Sequence, residues 1–184
     1  MVLHDWGSLM SIELDFRLNG PLGVDDLLQR SRLVLSRMLN YSDVPKLQAQ
    51  ELRQGTIIPS RAGQQLGPGQ MLLISIDEQA GGTVSFVMTE VPGIGERTSQ
   101  DDETGLWGTV GVKTRVPLSF ALAASVAVAA VEGGEILDEG LYWIRTRRNA
   151  ASVFTSAVTV DCEALSLLQA AEAFSQRLPQ GTGH

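Results

Sequence analysis

Residues Ser11 to Leu18 alternate strictly: Ile12, Leu14, Phe16 and Leu18 are apolar, and Glu13, Asp15 and Arg17 between them are charged. A period of two predicts a strand with one face on a core and the other in water. Asn19-Gly20-Pro21-Leu22-Gly23 breaks that pattern, as glycine and proline do. The period then changes. Leu27, Leu28, Ser31, Val34, Leu35, Met38 and Leu39 recur at steps of three and four, with Arg30, Arg32 and Arg37 mostly on other sides. That spacing predicts an amphipathic helix, and Asp25 and Asp26 suit its first turn, where carboxylates cap free amides and oppose the helix dipole.

Leu47 to Leu52 and Thr56-Ile57-Ile58 are compatible with short strands, before a loop holding Gly63, Gly67, Pro68 and Gly69. Met71 to Ile76 and Thr83 to Met88 form a clearer pair of strands, with Asp77 to Gly82 as a hairpin connection. Val91 to Gly105 is the most loop-like internal stretch, and Trp107 to Val116 resumes strand character. Pro117 closes that strand, and Ser119 can cap a helix to about Val131, stopped by Gly133-Gly134. No charge interrupts Ser119 to Val131, so this helix should be buried nearly all round. Ile136-Leu137 and Tyr142-Trp143-Ile144 suggest two short strands about a turn at Asp138-Glu139-Gly140, and Ala151 to Val160 a last strand. Asp161 can cap a final helix with Ala164, Leu167, Leu168, Ala171, Phe174 and Leu178 inward.

Hairpin-like connections outnumber strand-helix alternations, which indicates an α+β fold: an antiparallel sheet with about three helices packed mainly on one face. The 184 residues suffice for a single domain with its own core. Residues 11–178 are expected to form it, with 1–10 a flexible N-terminal extension and 179–184 a C-terminal tail.

Charge narrows the list of functions. The chain carries 21 acidic and 14 basic residues, a formal net charge of -7. Nucleic-acid binding and attachment to an anionic membrane surface both draw on clustered Lys and Arg, so neither is expected. An acidic surface instead favours a basic partner. Met1 to Met10 has no basic and apolar leader pattern, and the apolar run Val116 to Val131 is shorter than the roughly 20 residues of a membrane helix. The expected location is the cytoplasm.

Chemistry-bearing residues are sparse. Cys162 is the only cysteine, and His4 and His184, the two histidines, stand at the chain ends. A Ser-His-Asp or Cys-His site and most His/Cys metal sites are therefore hard to build, and no cofactor, metal or catalytic residue is assigned. Gly63 to Gly69 lacks the Lys-Ser/Thr of a phosphate loop, and Gly93-Ile94-Gly95 lacks a third glycine. The carboxylates Glu90, Glu96, Asp101, Asp102, Glu103, Asp138, Glu139 and Asp161 follow no divalent-ion spacing. As binding groups they are more useful. Asp101-Asp102-Glu103 stands close before Trp107, an aromatic that either starts a strand packed in the core or anchors an interface. Glu139, Tyr142 and Trp143 form a second candidate contact, and Arg145, Arg147 and Arg148 a small basic patch.

The segment SFALAASVAVAAVEGGEILDEGLYW, Ser119 to Trp143, resembles the alanine-rich helix, glycine stop and short strand of small immunity proteins from bacterial polymorphic-toxin and type VI secretion systems. The acidic, α+β, histidine-poor profile is similar too. The resemblance implies a cytoplasmic protein that binds a cognate secreted toxin and occludes its active site, without catalytic residues of its own. Its partner-binding residues would then be Asp101, Asp102, Glu103, Trp107, Glu139, Tyr142 and Trp143. The alternatives are a small enzyme using surface carboxylates or Cys162, and a chaperone-like adaptor of a secretion system.

Overall fold

The computed structural model describes residues 12–18, 20–76, 82–89, 106–112, 116–131, 136–138 and 166–177. The elements in chain order are β1 (Ile12–Arg17), α1 (Val24–Leu39), β2 (Gln48–Arg53), β3 (Thr56–Pro59), β4 (Met71–Ser75), β5 (Thr83–Thr89), β6 (Trp107–Val112), α2 (Pro117–Val131), β7 (Ile136–Asp138) and α3 (Leu167–Arg177). The strands form one seven-stranded sheet in the order β3-β2-β4-β5-β6-β1-β7, and every recorded neighbour pair is antiparallel. The fold is α+β, as the hairpin-rich order of elements implies.

Alternation decides which side of the sheet is packed. Leu14 and Phe16 of β1, Leu72 and Ile74 of β4, Val84, Phe86 and Met88 of β5, and Val110 and Val112 of β6 are all buried. The residues between them, such as Met71, Leu73, Val87, Trp107 and Thr109, are half-buried. α2 packs against β1, β5, β6 and β7 and lies between the sheet and the other helices, α1 and α3. All its residues except Pro117 and Val128 are buried, as an uncharged alanine-rich helix requires. Small side chains let helix and strand backbones approach closely, and Phe120 closes the far end by stacking near Phe174 of α3, ring centroids 6.5 Å apart.

Two close fits position the central strands. A Cβ built on Gly108 would sit 2.5 Å from the Phe16 ring, which covers this glycine from the neighbouring strand. Phe16 in turn lies against Phe86, centroids 5.9 Å apart. At the β2–β3 hairpin, Gln54 (φ 49°) and Gly55 (φ 79°) both adopt left-handed backbone, the requirement of a two-residue turn matched to strand twist.

Several helix ends differ from the sequence expectation. Pro117 opens α2 rather than merely ending the strand before it, and Ser119 is buried inside the helix instead of capping it. Proline suits a first helical position because its fixed φ is already helical and its missing N–H needs no partner. Phe120 N donates to Val116 O at 3.1 Å, which starts the ladder one residue earlier still. In α1 the N-cap is Gly23 without a side-chain cap. Val24 N donates to the carbonyl of Gln64 at 2.8 Å, and Asp25 accepts from Gly63 N at 2.8 Å rather than from its own helix.

The described part of the last helix begins at Leu167. Ser166 and Gln169 exchange side-chain and backbone hydrogen bonds there, Ser166 N to Gln169 Oε1 at 3.0 Å and Gln169 N to Ser166 Oγ at 3.3 Å, a reciprocal cap. Leu167, Ala171 and Phe174 face inward as expected, but Leu168 is 50% exposed, because one residue's step turns it about 100° off that stripe. The expected cap Asp161, with Cys162, Ala164 and Leu178, lies outside the described residues, as do the segments 77–81, 141–150 and 151–160.

Candidate functional site

Of the seven residues that the sequence suggests for partner binding, Trp107 is described; Asp101, Asp102, Glu103, Glu139, Tyr142 and Trp143 lie outside the described residues. Trp107 does not enter the core. It begins β6, opposite Arg17 of β1 and Thr89 of β5, on the strand parity that faces away from the helices. Gly108, Val110 and Val112 take the helix side, and Trp107, Thr109 and Gly111 the other. The indole is half-buried. Strand start and surface anchor are thus compatible: the residue occupies a sheet position without joining the helix-sheet core.

The same register builds the surroundings of Trp107. Thr109 stands directly opposite Asp15 on one side and Val87 on the other, and Gly111 stands between Glu13 and Ser85. Thr109 Oγ1 donates to Asp15 Oδ1 at 2.5 Å. Partial burial pushes the Asp15 carboxyl above its ordinary pKa; the Thr109 hydrogen bond opposes that shift, and the Glu13 charge adds to it. Ser85 Oγ donates to the carbonyl of Gly111 at 3.2 Å. Beyond Val87 the face turns apolar: Val87 is opposite Met71, and Leu52 is opposite Ile57, which is 52% exposed on the outermost strand.

The arrangement is an aromatic ring, a hydroxyl and a half-buried carboxylate on one flank of an apolar row. A carboxylate accepts hydrogen bonds from a cation, an indole covers apolar or cationic groups, and the aliphatic row excludes water. Asp15 belongs to the polar stripe of the first strand, legible in the sequence as a solvated side. Its partner Thr109 is less legible, because only the β1–β6 register brings them together across 94 residues.

A second polar group lies on the helix side of the sheet edge. Glu51 is buried, its side chain 8% exposed, and accepts from Arg53 Nη2 at 2.9 Å and from Gln64 Nε2 at 3.2 Å. The Arg53 hydrogen bonds hold its carboxyl below the ordinary range, against the opposing effect of desolvation. Gln64 also ties the loop 61–66 to α1 through its backbone carbonyl. Each of these groups is satisfied by its neighbours, so the cluster is a clasp between loop, helix and edge strands. Among the described residues no group of three His, Cys, Asp or Glu side chains is placed to hold a metal ion, and no helix is long and apolar enough to cross a membrane.

Compared with protein-family models, curated proteins and solved structures, the chain finds no match in any of the three.

Proposed function

We propose that this chain is an immunity protein: it binds a cognate secreted bacterial toxin in the cytoplasm and neutralises it by covering the active site. The observation that carries this reading is the position of Trp107, half-buried on the sheet face away from the described helices, opposite Arg17 and two residues before Thr109 on β6. Aromatic anchors of this kind dominate protein interfaces when they lie at the centre of a contact. The acidic balance of the chain, net -7, supports a basic partner and fast association with it. In this reading the protein performs no reaction and takes no cofactor. Asp101, Asp102 and Glu103, shortly before Trp107 in the sequence, are assigned to the same contact, with Glu139, Tyr142 and Trp143 as its second part.

The test is protection of cells that co-express this chain with the product of the neighbouring large reading frame. Wild type rescues growth, and Trp107→Ala abolishes rescue while the protein accumulates normally. Reversing the charges of Asp101, Asp102 and Glu103 together weakens protection. Full protection by Trp107→Ala excludes this face as the contact, and absence of rescue by the wild-type chain contradicts the function itself.

A further inference from the structure

The first turn of α1 is capped from outside its own segment. Its N-cap Gly23 offers no side chain, and Val24 N donates instead to the carbonyl of Gln64 at 2.8 Å. Two more hydrogen bonds join the same two segments: Gly63 N to Asp25 Oδ2 at 2.8 Å, and Leu66 N to the carbonyl of Leu22 at 2.8 Å. Residues 61–66 thus run as a strap across the start of the helix. The chain is fixed on either side of the strap, at Ser60 by the Ala49 carbonyl of β2 and at Gly69 and Gln70 by Met88 of β5.

Polar contacts do most of the closing. Leu66 is the one buried residue of the strap; Arg61, Ala62, Gly63 and Gln65 are exposed, and Gln64 is half-buried. The Gln64 side chain accepts from Arg61 N at 3.0 Å and donates to Glu51 Oε2 at 3.2 Å, which fastens the turn 61–64 to β2. Arg53 Nη2 holds the other oxygen of Glu51 at 2.9 Å. A segment with one apolar anchor and exposed hydrogen bonds opens at a smaller free energy than the packed core. Its hydrogen bonds to α1 cannot outlast that opening, because one partner of each belongs to the strap.

We propose that the strap 61–66 and the first turn of α1 open and close together as one local unit, latched by the hydrogen bond between Gln64 and Glu51. Closed, the strap supplies the cap that Gly23 lacks. Open, it releases the Val24 and Leu66 amides to water and uncovers the Glu51 carboxylate, while the central sheet and α2 stay packed. Gln64 is the coupling residue: its side chain engages β2 and its backbone carbonyl engages α1. The device is independent of the toxin reading and concerns a different part of the molecule from Trp107.

The experiment is amide hydrogen exchange of the full chain, labelled with nitrogen-15 and followed at neutral pH over a series of low urea concentrations. The Val24 and Leu66 amides are expected to share one opening free energy. Its urea slope lies well below that of the ladder amides of β4 and β5, which report global unfolding. Glu51→Gln removes the charge of the latch and speeds exchange at Val24 and Leu66 alike, by about fivefold. Gln64→Ala, a truncation at a half-buried loop position, repeats the effect and carries the test if Glu51→Gln does not fold. The proposal is overturned if Val24 and Leu66 open with different free energies, or if both follow the urea slope of global unfolding. It is equally overturned if the variants speed Leu66 and leave Val24 at its wild-type rate, because the helix turn is then uncoupled from the strap, or if they change neither, because Glu51 is then no latch.

Discussion

Gly108 and Gly111 lie three residues apart on β6 and face opposite sides of the same sheet, and their neighbourhoods separate the two faces. Over Gly108 lies the Phe16 ring, held by Phe86 and covered by α2. Over Gly111 lies one serine hydroxyl, 2.9 Å from the position of an added Cβ. A packed aromatic pair cannot yield without opening the core, whereas the hydroxyl can rotate about χ1 at the loss of its hydrogen bond to the Gly111 carbonyl. The helix side is built by close fit. The other side is built from half-buried groups joined by single hydrogen bonds, and it carries the carboxylate whose ionisation is disfavoured.

The sharpest break of this comparison is a single methyl group placed on each glycine. Gly108→Ala is expected to cost about 3 kcal/mol in urea unfolding, the upper range for overpacking a core, while Gly111→Ala costs under about 1 kcal/mol. Similar losses at the two positions would erase the distinction between the faces.

Buried Ser31 of α1 offers a smaller test within the packed side. Among the described residues its hydroxyl has no hydrogen-bond partner, and Ser31→Ala removes that unsatisfied group. The variant should unfold at equal or slightly higher urea, by up to about 1 kcal/mol. A loss of stability would mean that the hydroxyl is used.

The smallest effects come from pH, with opposite signs at two carboxylates. Asp15 has a raised folded-state pKa, so the folded protein holds more protons and its stability falls as pH rises through the window above the ordinary aspartate value. Asp15→Asn therefore gains a little stability at neutral pH, and the gain fades in acid. Glu51 has a lowered folded-state pKa, so its contribution is present above the ordinary glutamate value and lost as pH falls through the lowered one. Glu51→Gln loses stability at neutral pH and matches wild type in acid. Urea unfolding of both variants between pH 3 and 7, roughly the carboxylate range, distinguishes the two signs.

Much of this architecture is legible in the residues themselves. The alternation of Ile12 to Leu18, the three- and four-residue steps of α1 and the uncharged stretch of α2 each dictate an element and its buried side, because periodicity is a local property. Helix starts are less legible. Gly23 and Val116 open helices without a capping side chain, and the Gln64 carbonyl that serves α1 arrives from a loop about 40 residues later. The Glu51 clasp and the Asp15–Thr109 pair share that reason: each depends on strand register or loop docking, which no single segment encodes. Trp107 stands out as an aromatic at a strand start, but its side of the sheet follows only from the parity of Val110 and Val112.

On the proposed reading, the sheet face away from the described helices serves contact rather than stability. Equilibrium urea unfolding of Trp107→Ala beside Phe86→Ala tests it most directly. Phe86 is fully buried on the helix side and its truncation is expected to cost about 4 kcal/mol; truncation of half-buried Trp107 should cost about 1 kcal/mol. A Trp107→Ala loss as large as that of Phe86→Ala would place the indole in the structural core and contradict the account.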